Sequence, residues 1–203
     1  AASLLGQPAG ASLQVVLAHG AVREADVEAL ALWAERDRRF LPLRVSGTVD
    51  GASLVNAALE SANGTITAVV RRGDRIEPGC FERSARWLAA GWDVVQGPLL
   101  PRLSGSPNFA GRLAQLDERA IRMRRLSGAC VLYDVVIGDA GTVFWRTEEL
   151  RRVRYRHDAV SPERDSVTRA VVAGGRSAFD ASLRTTRRAP ATLRELWRIR
   201  AQE

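Results

Sequence analysis

Residues 56–79, NAALESANGTITAVVRRGDRIEPG, carry the order of elements that decides the fold. A helical stretch, Asp50 to Ser61, runs into Asn63-Gly64, a pair that stops helices because both residues tolerate the left-handed conformation. The β-branched run Thr65 to Val70 (TITAVV) follows and reads as a buried strand. The polar loop Arg71-Arg72-Gly73-Asp74 leaves that strand, and Pro78-Gly79 opens another helix with Phe81, Ala85 and Leu88 turned inward. Helix, strand, polar exit loop and helix in close succession are the parts of a βαβ layer.

The same alternation extends in both directions. Upstream, Leu13 to Ala18 (LQVVLA) is a strand and Glu24 to Arg38 a helix, with Val27, Leu30, Ala31 and Ala34 spaced as one apolar face. Phe40 to Val45 is a second strand. Downstream, Trp92 to Gln96 is a strand and Pro98 to Pro107 a proline- and glycine-rich loop. Leu113, Leu116 and Ala120 mark a helix to about Arg125, and Val131 to Ile137 and Thr142 to Trp145 are strand-like. Glu163 to Ala173 is a helix stopped by Gly174-Gly175, Ser177 to Phe179 a short strand, and Pro190 to Arg200 a last amphipathic helix carrying Leu193, Leu196 and Trp197 on one side. This pattern predicts an α/β fold with a mostly parallel sheet and helices on both faces. Ligands of such sheets bind beyond the carboxyl ends of the strands. That points to His19-Gly20, the loop 71–74 and the loop after Gln96.

Composition narrows the chemistry. The chain has 203 residues and a hydrophobic content of 46%, which suits one domain with a substantial core, or at most two small ones. No apolar run approaches the ~18 residues that span a bilayer, and no signal-type segment opens the chain, so a cytoplasmic location is expected. Cys80 and Cys130 lack metal spacing and read as buried free thiols. All 30 basic residues are arginine, which excludes a lysine-dependent phosphate loop and favours bidentate contacts to phosphate or carboxylate. The net charge of +7 makes polyanion binding conceivable. However, the arginines are scattered among 23 acidic residues and no base-stacking aromatic motif accompanies them, so a nucleic-acid partner is not expected.

Five stretches in order resemble family 2 glycosyltransferases, of the inverting GT-A type. Asn56-Ala-Ala-Leu59, Asn63-Gly64, TITAVV and RRGDRIEPG are similar to the family's Asn-Ala-Gly-Leu helix, glycine, buried strand, Asp-x-Asp and Pro-Gly helix start. PERDSVTRAVVAGGR (162–176) looks like its Glu-Asp-x-Asp-Leu-x-Leu-Arg-Leu-x-x-Ala-Gly-x-Arg segment, with Asp165, Arg169, Ala173, Gly174 and Arg176 in register. Gly141 to Arg146 resembles an acceptor-side Gly-x-x-x-Phe-Arg strand, and TLRELWRIR (192–200) the helix before the Gln-x-x-Arg-Trp motif of processive synthases. Ser3 to Gln7 followed by LQVVLA resembles the first helix and second strand. The resemblance implies one domain over 1–203, with 1–97 as the nucleotide-sugar-binding half and 98–203 as the acceptor-side half. The family's first strand would be missing, so the fold is expected to be N-terminally truncated.

The resemblance also implies a site, and this chain departs from it at the charged positions. The family holds a divalent cation, Mg or Mn, on the donor diphosphate through Asp-x-Asp. Here those positions are Arg71 and Gly73, with Asp74 one residue later as the one candidate metal ligand. The carboxylates that hold the nucleoside fall on His19 and Gly20, or on Ala18 and His19, and the basic residue ahead of the Asn-Ala-Gly-Leu segment on Gly51. Ile199, Gln202 and Glu203 stand where the last motif has Gln, Arg and Trp. Glu163 takes the place of the general base, and Asp165 matches a second acid that would equally suit a helix start. Arg71 and Arg72, with Asp74, could meet the diphosphate without a cation.

Two functions follow. One is transfer of a sugar from a UDP- or GDP-linked donor to a glycan or lipid acceptor, with inversion and with Glu163 and Asp165 as catalytic residues. His19, Arg71, Arg72 and Asp74 would bind the donor, and the processive flavour of the last helix suggests work at the inner face of a membrane. The other is a catalytically degenerate relative that acts as a binding or interaction domain.

Overall fold

The computed structural model of the protein describes residues 4, 13–22, 24–47, 49–103, 108–133 and 142–201. β1 (Val15–His19) passes through α1 (Glu24–Arg36) to β2 (Phe40–Arg44), which lies parallel to β1 with Val15 opposite Phe40 and His19 opposite Arg44. A helix between two parallel strands is the connection that parallel pairing requires. α2 (Gly51–Glu60) starts at Asp50, whose carboxylate accepts from the Ser53 N–H at 2.7 Å and hydroxyl at 2.8 Å. This satisfies a donor that the first turn leaves without a partner.

β3 (Ile66–Val69) forms one edge of a four-stranded sheet. The chain then runs through β4 (Arg75–Ile76), α3 (Cys80–Ala89), β5 (Val94–Gln96) and β6 (Leu99–Arg102). α4 (Phe109–Leu116) continues through a π-helical segment, Asp117–Arg122, into α5 (Met123–Tyr133). β7 (Val143–Arg146), α6 (Thr147–Val153), α7 (Pro162–Val172), β8 (Ser177–Phe179), β9 (Thr185–Arg188) and α8 (Leu193–Ala201) complete it. The main sheet has the order β3-β7-β5-β8. β3, β5 and β8 run in one direction and β7 is inserted against them. A smaller sheet, β4-β9-β6, flanks it, and β1-β2 form a separate parallel pair.

Alternation along the strands divides the core into two layers. Val94 and Trp145 face Ala52 and Leu59 of α2, Leu150 and Val153 of α6, and Val167 and Ala170 of α7. Val95, Phe144 and Ala178 face the other way, toward Cys80 and Leu88 of α3, Ile76 and Leu183. Helices therefore cover both faces of the sheet, as expected. Cys80 is a buried free thiol and Cys130 a partly buried one. At Gly97 the chain leaves β5 so close to another segment that a Cβ would lie 1.8 Å from the Leu183 carbonyl oxygen, which only glycine permits.

Several expectations need correction. The loop expected over 98–107 contains β6, and Pro101 is tolerated there because β6 is an edge strand. Residues 131–133 end α5 and are not a strand, while 134–137 lie outside the described residues. The inward face of α1 is Leu30, Trp33 and Ala34, not Val27 and Ala31, which are exposed; the Trp33 ring packs 5.8 Å from that of Phe40 and sets the rotation. Of the first-helix residues 3–7, only Leu4 is described. Among the described residues no helix is long and apolar enough to cross a membrane.

Candidate active site

The polar exit loop of β3 meets the start of α7. β3 is held in register by β7, with Ile66 opposite Arg146 and Val69 opposite Val143, so its carboxyl end delivers Arg71 to a fixed place. The loop closes on itself through the Asp74 N–H, which donates to the Arg71 carbonyl at 3.1 Å. Gly73, with φ of 90°, supplies the left-handed turn. α7 begins with Pro162 in its first turn, where the missing N–H costs nothing, and Glu163 follows. Arg71 grips Glu163 with two donors, Nε to Oε1 at 3.1 Å and Nη2 to Oε2 at 2.6 Å. The two residues are 92 positions apart, and each was singled out by sequence alone.

A second pair lies beside the first. Arg187 of β9 donates through Nε to Asp74 Oδ1 at 2.6 Å and through Nη2 to Oδ2 at 2.9 Å. The Asp74 side chain is 4% exposed, so both oxygens are committed in a buried ion pair. Burial pushes the Glu163 carboxyl above the ordinary glutamate range, and the nearby Asp74 charge adds to this. Arg71, by charge and hydrogen bond, and Arg187, by charge, pull it back. The net upward direction means that burial outweighs the guanidinium partners.

Tyr155 is 5% exposed, and its hydroxyl is buried with no hydrogen-bond partner among the described residues. Burial raises this phenol well above the ordinary range, the Glu163 charge raises it further, and the Arg71 charge opposes both. The ring therefore sits within electrostatic reach of the Arg71–Glu163 pair.

The other expected residues lie differently. Asp165 is two positions beyond Glu163 on α7, about 200° around the helix, and bonds Arg169 at 2.8 Å. Arg169 in turn donates to the carbonyls of Val153 and Arg154, so this acid fastens α7 to the turn after α6. Arg72 is exposed in the exit loop. His19 ends β1, half-buried, with Nδ1 2.9 Å from the Gly20 carbonyl oxygen. Arg187 and Tyr155 were not foreseen: Arg187 lies in the polar run TTRR and Tyr155 among arginines, and neither stretch carries a motif.

The divalent cation implied by the family pattern does not fit these residues. Hard cations take several oxygen ligands, whereas position 71 offers a guanidinium, position 73 no side chain, and Asp74 is held on both oxygens by Arg187. Among the described residues no three histidine, cysteine, aspartate or glutamate side chains are grouped to hold a metal.

Comparison with known proteins defines the fold class. No family model and no curated protein matches the chain. Among solved structures it is similar to the mannosyltransferase PcManGT from Pyrobaculum calidifontis, solved in complex with GDP-Man and Mn2+. The TM-score is 0.69 at 18% identity, over 93% of this chain and 51% of that one. A mycobacterial protein aligns over 90% of this chain and 59% of its own at a TM-score of 0.49 and 15% identity. The chain thus has the GT-A-like glycosyltransferase fold, and it spans about half the length of the mannosyltransferase.

Proposed function

We propose that this chain is a family 2-like glycosyltransferase domain that binds a UDP- or GDP-linked sugar at the carboxyl ends of β1 and β3. It would transfer the sugar, with inversion, to a hydroxyl of a glycan or lipid acceptor. The observation that supports this reading is the Arg71–Glu163 contact, a candidate diphosphate-binding group beside a candidate base at the strand exit. Glu163 takes the proton of the acceptor hydroxyl as its oxygen bonds to the anomeric carbon. The bond from that carbon to the diphosphate oxygen breaks, and the electron pair leaves with the nucleoside diphosphate. Arg71, with Arg72 beside it, offsets the charge that develops there. His19 stands at the end of β1, where the nucleoside would lie.

Saturation-transfer NMR with UDP-glucose and with GDP-mannose tests the reading. Transfer from the folded protein to ribose and sugar protons supports it. None with either donor at millimolar concentration overturns it. One observation favours a second reading, a catalytically degenerate binding domain: Asp74, the remaining acid of the loop, is neutralised by Arg187. Donor binding without release of nucleoside diphosphate over hours, with acceptor glycans present, would select that reading.

A further inference from the structure

Arg71 has one guanidinium and, under the function proposed above, two anions to serve. In the free protein its Nε and Nη2 are both spent on Glu163. Its side chain is nevertheless 55% exposed, whereas that of Glu163 is 19% exposed. The pair is thus a solvent-facing cation resting on a mostly covered anion. The neighbouring Asp74–Arg187 pair is internally neutral and, at 4% and 28% exposure, much less open to a ligand.

We propose that a nucleoside diphosphate takes Arg71 away from Glu163 and is neutralised by that guanidinium directly, with no divalent cation between them. Three observations support the exchange. The loop positions that would hold a cation carry Arg71 and Gly73, and no group of metal-ligating side chains surrounds them among the described residues. A diphosphate carries more charge than a carboxylate and offers the same forked geometry to an arginine, so it competes well for the guanidinium. And the carboxylate that Arg71 abandons is not left bare. The Arg187 charge still acts on Glu163, and the Tyr155 hydroxyl, buried without a partner among the described residues, is in electrostatic reach. Donor binding and release of the base are then one event: Glu163 is masked until the diphosphate arrives.

The inference rests on the proposed donor, and the test separates the two. The full chain is titrated calorimetrically with GDP and with UDP, in EDTA and in excess Mn2+, together with the variants Arg71→Ala, Arg71→Lys and Glu163→Gln. The expected result is binding in EDTA that Mn2+ changes by less than about twofold. Arg71→Ala should weaken it by about tenfold or more, with partial recovery in Arg71→Lys. Glu163→Gln, which removes the competing anion, should tighten it by up to about fivefold, the worth of an exposed ion pair. A residue acting only as a base would leave nucleotide affinity unchanged, so an unaltered Kd in Glu163→Gln overturns the exchange. Binding that requires Mn2+ overturns the cation-free site and leaves the glycosyltransferase reading standing. If neither nucleotide binds a folded protein under either condition, that reading falls, and the inference with it.

Discussion

The side-chain amide of Asn56 pairs with the main chain of Tyr155 as a neighbouring strand would. Nδ2 donates to the Tyr155 carbonyl at 2.9 Å, and Oδ1 accepts the Tyr155 N–H at 3.0 Å. The preceding residue, Arg154, has φ of 49°, a conformation that costs about 1–3 kcal/mol outside glycine and persists only where neighbours enforce it. Asn56 on one side and Arg169 on the other supply that enforcement. Asn56→Ala strands two buried main-chain groups and is expected to lower unfolding free energy by about 1–3 kcal/mol. Urea denaturation checks this. A loss below about 0.5 kcal/mol, the range of an ordinary surface substitution, would mean that the turn holds without the amide.

Tyr155→Phe should act in the opposite direction on stability. Among the described residues its hydroxyl is buried without a partner, a state that costs about 1–3 kcal/mol relative to a satisfied group. Removing the oxygen leaves the ring in the core it shares with Trp145 and Leu150. The variant should therefore melt at or above the wild-type temperature. Scanning calorimetry reads this. A lower melting temperature without ligand would show that the hydroxyl has a partner in the folded protein.

The Asp74–Arg187 pair joins the exit loop of β3 to β9, and it behaves as a structural clasp. Asp74→Asn removes the charge and one acceptor geometry while Arg187 stays in place, partly buried. A loss of about 2–3 kcal/mol is expected, below the ~3–5 kcal/mol of a fully buried broken pair because Arg187 is 28% exposed. If Asp74 instead held a cation, Mn2+ would raise the wild-type melting temperature and not that of Asp74→Asn. The clasp predicts no Mn2+-dependent difference between them.

Much of this architecture was legible because it rests on local signals. The β-branched run 65–70 and the Gly174-Gly175 stop are short-range devices: the first became β3, and Gly174, with φ of 90°, ends α7, whereas the helix before Asn63-Gly64 closes at Ser61 and neither residue of that pair is left-handed. Elements defined only by their neighbours were missed. α6 (TEELRRV) and β9 (TTRR) are polar and short, and they exist because Leu150, Val153 and Thr185 find buried places that nothing nearby in the chain predicts. The site divides the same way. Arg71 and Glu163 were found because their positions match the family pattern that the chain resembles. Arg187 and Tyr155 reach the same place through strand pairing and a turn held by Asn56, relationships between distant residues that no window of sequence displays.

Glu163 gives the protein a pH dependence opposite to that of its exposed carboxylates. Asp50, held by the Ser53 N–H and hydroxyl and by His157, has its pKa lowered to about 2. Such a group contributes stability above its unfolded value, and that stability is lost as pH falls toward 2. The Glu163 carboxyl is shifted upward by burial, with Asp74 adding and Arg71 and Arg187 opposing. The folded state therefore binds its proton more readily than the unfolded chain does. Between the ordinary glutamate range and the raised value, stability falls as pH rises, and above the raised value the penalty is complete. Glu163→Gln has no such proton. The unfolding free energy of wild type minus that of Glu163→Gln should decline as pH rises from about 4 and then level off. Loss of the Arg71 partner shifts the whole difference curve without removing that slope. Urea denaturation of both proteins across this range measures it. A flat difference would mean that Arg71 and Arg187 fully offset the burial of Glu163, and a rising one that they exceed it.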